Sequence, residues 1–145
     1  MSPSQLDNIL EQHQRWLSSH GQYGQRADLS MADLRGATLN DADLRLAVMI
    51  GVQLQGATLN QVLLQGAVLA FANLSGAKCL HTNLSHARLI AANLQNADLT
   101  TSVLRGTDLR DARLEGARLP KPEPEEKNHV VIVEVTLIRK DPTRH

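Results

Sequence analysis

The chain has 145 residues, a single domain's worth by length, and its 15 basic and 15 acidic side chains cancel, which removes the simplest electrostatic case for direct binding to nucleic acid or to an anionic membrane. One Phe, one Trp and one Tyr leave the interior to be filled by smaller aliphatic side chains. Cys79 is the only cysteine, so no intrachain disulfide can form and a cytoplasmic home is favoured.

Residues 1–25 read as a helical cap. The start, MSPSQLDNILEQ, has neither the basic stretch nor the apolar core of a signal peptide. Ser2 is placed to cap a helix, Pro3 suits its first turn, Gln5 completes a capping box and Gly21 stops it. Leu6, Ile9, Leu10, Trp16 and Leu17 fall mainly on one face, which is expected to lid whatever follows. No run approaches the roughly 18 apolar residues of a membrane-spanning helix.

Residues 26–120 form an internal repeat with a period of five. Of the nineteen positions 29, 34, 39 and so on to 119, seventeen are Leu and the others are Met49 and Cys79. Two residues before each stands a small side chain, Ala in fourteen cases, with Val52, Val62, Thr82, Ser102 and Thr107 as the exceptions. Steps of five rotate a helical side chain by about 140°, and on a straight strand they alternate between faces. Neither gives a buried stripe. A chain that runs extended for about three residues and then bends by roughly 90° points both the Leu and the small residue inward. Four such segments close a coil of twenty residues, and stacked coils pair at the strand spacing of roughly 4.8 Å. Leu alternating with Ala fills this interior where Leu at every place would overpack it. Seven glycines, among them Gly36, Gly51 and Gly66, occupy the corners two residues after a Leu position.

The segments ADLSM (27–31), ADLRG (32–36), ADLRL (42–46), ANLSG (72–76) and ANLQN (92–96) resemble the motif of the pentapeptide repeat proteins. The resemblance implies an all-β fold, a right-handed quadrilateral β-helix, here with an N-terminal capping helix and a C-terminal β-strand. WLSSHGQYGQRADL also looks like the lead-in of some bacterial, notably cyanobacterial, members.

Outward residues twenty apart should stack as ladders: Lys78, Asp98 and Arg118 alternate in sign, as do Arg88 and Asp108, while Asn40 meets Asn60 and Asn73 meets Asn93. The family's quinolone-resistance members act as acidic DNA mimics that bind gyrase, but residues 26–120 hold eight acids and nine bases. One side is less polar. Its outward places flanking positions 49, 69 and 89 include Val48, Ile50, Val68, Ala70 and Ile90, with Phe71 at the following corner, and such a patch marks a contact surface. Leu63 and Val103 share another side.

Residues 121–128, KPEPEEKN, read as a stiff Pro/Glu linker, and 129–145 as a strand with a tail. In the strand Val131, Val133, Val135 and Leu137 share one face. Such a strand must pair with something: its own rod's apolar side, the last coil, or a second subunit in a homodimer.

No residue set reads as catalytic, cofactor-binding or metal-ligating. His81 and His86 sit on successive corners that diverge, and Cys79 faces inward. The expected role is a non-catalytic structural or protein-interaction module with an unknown protein partner and neither membrane nor nucleic acid as ligand. The alternative is a DNA mimic that binds a topoisomerase.

Overall fold

The computed structural model describes residues 1–122. The strand expected at 129–138, with Val131, Val133, Val135 and Leu137, and residues 123–128 of the linker lie outside the described residues.

Helix α1 spans Pro3–Ser18. Ser2 Oγ accepts the Gln5 N–H and Gln5 Oε1 accepts the Ser2 N–H, the reciprocal capping box. At the other end the Gly21 N–H returns to the Trp16 carbonyl at 2.8 Å, with positive φ at His20 and Gly21. No helix among the described residues is long and apolar enough to cross a membrane.

From Ala27 onward the backbone is a stack of four-sided coils. Parallel bridges join residues twenty apart in four columns, which number the sides in chain order. Side 1 carries 28, 48, 68, 88 and 108; side 2 carries 33, 53, 73, 93 and 113; side 3 carries 38, 58, 78, 98 and 118; side 4 carries 43, 63, 83 and 103. Each segment contributes one bridge residue, so the ladders are isolated bridges rather than extended strands. The reason is geometric, since only about three residues run straight before the next bend.

The axis holds the Leu positions. Leu29, Leu44, Met49, Leu54, Leu59 and Leu69 are fully buried, and Cys79 nearly so. The small residues two before them are buried through the middle of the stack, whereas Ala32, Ala37, Ala42, Ala112 and Ala117 near its ends are partly buried. Three inward hydroxyls are also satisfied: Thr82 donates to the Leu59 carbonyl at 2.6 Å, Thr107 to Leu84 at 2.8 Å, and Ser102 to Cys79.

At seventeen bends, each a β-turn, the small inward residue donates back to the Leu or Met three before it, as from Ala32 to Leu29 at 3.1 Å. The residue two after the Leu has positive φ, the mark of a type II turn. Glycine was expected there. Ten of these corners nevertheless carry a side chain, from Met31 (φ 62) to Asp111 (φ 61), at on the order of 1 kcal/mol each. Thr101, whose β-branch is hardest to fit in the left-handed region, is not among the positive-φ residues. At the equivalent corner two coils before Thr101, the Gln61 N–H donates to the Leu80 carbonyl. The His81 N–H instead donates to the Thr101 hydroxyl at 2.9 Å.

Candidate interaction surface

The outward residue before each Leu has a local task. Where it is Asp or Asn, its side-chain oxygen accepts the N–H of the residue after the Leu: Asp28 from Ser30, Asn73 from Ser75, Asn83 from Ser85 and Asn93 from Gln95, each at 3.0 Å. That N–H otherwise has no place in the ladder. Elsewhere the same N–H donates to the polar side chain one coil earlier, as Asn60 does to Asn40 and Leu80 to Asn60.

The expected charge ladders stand in register, with Lys78, Asp98 and Arg118 at successive bridges. The closest ion pairs, however, run along a coil. Arg35 grips Asp33, Arg45 grips Asp43 and Arg110 grips Asp108, each with its Nη2 2.7 Å from a carboxylate oxygen and its Nε at 2.8 to 3.0 Å. Hydrogen bonding from the Arg35 side chain, then from its backbone N–H, holds the Asp33 carboxyl down at about 2. The Arg45 side chain lowers Asp43 against the opposing effect of burial, and Thr100 is the first cause of the lowering at Asp98. A signal for this was present: the triplet Asp-Leu-Arg recurs at 33–35, 43–45 and 108–110.

Side 1 and its two corners hold the apolar surface. Val48 bridges Val68, and both are half-buried. Next to them Ile50, Ala70 and Ile90 lie on successive coils, joined through the corner N–H groups: Met31 donates to the Ile50 carbonyl, Gly51 to Ala70 and Phe71 to Ile90, each at 2.9 Å. Phe71 is 66% exposed, Met31 72%, Leu46 45% and Ile50 41%. The fold brings Val48, Ile50, Val68, Phe71 and Ile90, the five expected from sequence, to one side. Met31 and Leu46, not among those expected, stand at corners flanking that side, in the same register two residues past a Leu position. Val131, Val133, Val135 and Leu137 lie outside the described residues. Leu63 and Val103 sit apart on side 4.

Glycines floor this surface. The Met31 side chain lies over Gly51 and that of Leu46 over Gly66, so a Cβ added at either glycine would stand 2.4 or 2.7 Å from it. Large side chains thus lean onto the next coil where that coil has none. His81 and His86 are exposed, and no cluster of metal-binding side chains occurs among the described residues.

A profile of the pentapeptide repeats matches in eight copies over residues 27–66, 53–89 and 82–119. Among solved structures, a pentapeptide repeat protein from the Arabidopsis thaliana thylakoid lumen is 27% identical at a TM-score of 0.67, over 79% of this chain and 83% of that one. HetL, a pentapeptide repeat protein involved in heterocyst differentiation regulation from the cyanobacterium Nostoc, is 34% identical with a TM-score of 0.35, over 68% of this chain and 49% of its own. The plasmid-mediated fluoroquinolone resistance protein QnrB1 is 19% identical with a TM-score of 0.42, over 76% and 65%. Only the plant protein of these three superposes as a whole fold, and a comparison with curated proteins found no match. Motif, register and a profile match running from residue 27 to 119 agree, and the chain belongs to the pentapeptide repeat family, its solenoid a right-handed β-helix.

Proposed function

We propose that this chain is a non-catalytic interaction module that holds a partner protein on side 1 of the rod. The observation that carries the reading is the apolar surface made by Met31, Leu46, Val48, Ile50, Val68, Phe71 and Ile90 on side 1 and its corners, against only Leu63 and Val103 on side 4. Exposed apolar residues gathered in one patch mark contact sites, and a large aromatic side chain such as the exposed Phe71 is a common anchor of an interface. Backbone hydrogen bonds tie each coil beneath the patch to the next, which keeps the ordering cost of binding small.

The test is a photo-crosslinking amino acid placed at residue 71 on side 1, with a control at residue 58 on side 3. Position 71 should give a discrete adduct, abolished by Ile50→Glu, while position 58 gives none. The adduct's mass tells whether the partner is a second copy of the chain. Equal labelling from both sides would remove the reading.

The DNA-mimic alternative draws on the acids of the first coil, Asp28, Asp33, Asp41 and Asp43. Mimicry needs bare carboxylates in a phosphate-like array, and the grip of Arg35 on Asp33 and of Arg45 on Asp43 weighs against it. Micromolar protein should leave gyrase supercoiling unchanged; inhibition or protection would reinstate this alternative.

A further inference from the structure

His13 ties α1 to the first coil. Its ring is fully buried, Nδ1 accepts the Ala27 N–H at 2.9 Å and Nε2 lies 2.9 Å from the Arg45 carbonyl. An N–H aimed at Nδ1 requires a lone pair there, so the ring's proton sits on Nε2 and the imidazole is neutral. Ala27 opens the coil and Arg45 lies where it closes, so one side chain joins the helix to both ends of the first circuit. A second ring proton would occupy the lone pair that Ala27 uses and set N–H against N–H. Around the pin, Trp16 stacks on the imidazole at 5.6 Å and Arg26 lies 5.7 Å over the Trp16 ring.

We propose that α1 is an acid-released lid: protonation of His13 unpins it and uncovers the apolar contact of Leu6, Ile9 and Leu10 with the first coil. The charged groups facing the ring are Asp43, which favours the protonated form, and Arg26 and Arg45, which oppose it. Burial is the largest influence and lowers the imidazole below its ordinary 6.5. Since the docked ring binds its proton less readily than the released one, docking is at full strength above pH 6.5 and weakens below it, by up to about tenfold per pH unit.

Trp16 is the only tryptophan, so its emission reports the lid. In the full chain, acidification should red-shift that emission and open it to acrylamide quenching. Exchange of the Ala27 amide relative to that of Leu59 should rise by up to about tenfold per pH unit below the ordinary value. His13→Gln, which keeps one donor and one acceptor but does not titrate, should abolish the acid step. The His13 ring carbons, followed by NMR, should titrate at the same midpoint as the Trp16 change in the unaltered protein. An acid step that persists in His13→Gln, or a ring that titrates with the Trp16 signal unmoved, overturns the proposal. Should His13→Gln release the lid already at neutral pH, the agreement or disagreement of the two midpoints decides.

Discussion

A Cβ built on Gly24 would stand 2.3 Å from the carbonyl oxygen of Gln12, at the crossing of α1 and the chain that leads into the first coil. The neighbouring Gln25 N–H donates to that same oxygen at 3.0 Å. The obstructing atoms at Gly24 include the backbone N of Trp16 as well, so nothing nearby can swing aside. Gly36, by contrast, has positive φ and nothing within 4 Å of an added Cβ. Gly36→Ala should therefore cost about 1 kcal/mol, the left-handed strain alone, while Gly24→Ala costs more than about 3 kcal/mol or frees the helix. Denaturant midpoints of the two variants, with Trp16 emission as a second probe, check the difference.

The coil and its axis were legible because the Leu spacing of five over nineteen positions admits so few backbones. The helix was legible because Ser2, Pro3 and Gln5 spell a capping box. Contacts between elements far apart in sequence were not. His13 stands next to Gln12 in an ordinary amphipathic pattern, and only the crossing angle of α1 brings its ring to Ala27 and Arg45. The left-handed corners were half legible: glycine advertised seven, but Met31, Leu46 and Phe71 adopt the same backbone because the stacked coils over-determine it.

Thr82 is fully buried and donates to the Leu59 carbonyl, which also receives the Val62 N–H. Thr82→Val removes the donor and leaves that acceptor satisfied, so the cost should stay within about 1 kcal/mol. Thr82→Ala deletes a methyl as well and should cost about 1 to 2 kcal/mol. Denaturant unfolding of both variants checks the order, and Val worse than Ala would contradict it.

Burial pushes the Cys79 thiol up to about 12, with the Asp98 charge as a smaller cause in the same direction. The thiolate, the species that reacts, is therefore scarce and covered throughout the neutral range. A thiol reagent at pH 8 should leave the folded chain unmodified and label it fully in denaturant. Rapid labelling of the folded protein would contradict the inward placement.

Adjacent leucines give the most direct test of the coil itself. Leu63 is half-buried on side 4, bridged to Asn83, whereas Leu64 is 1% exposed on the axis. Leu63→Asn places the family's own outward residue there and should shift stability by less than about 1 kcal/mol. Leu64→Asn buries an unpartnered amide and opens a void, at more than about 4 kcal/mol. Unfolding midpoints that separate this way are the expected result, and equal losses at the two positions would contradict the common axis.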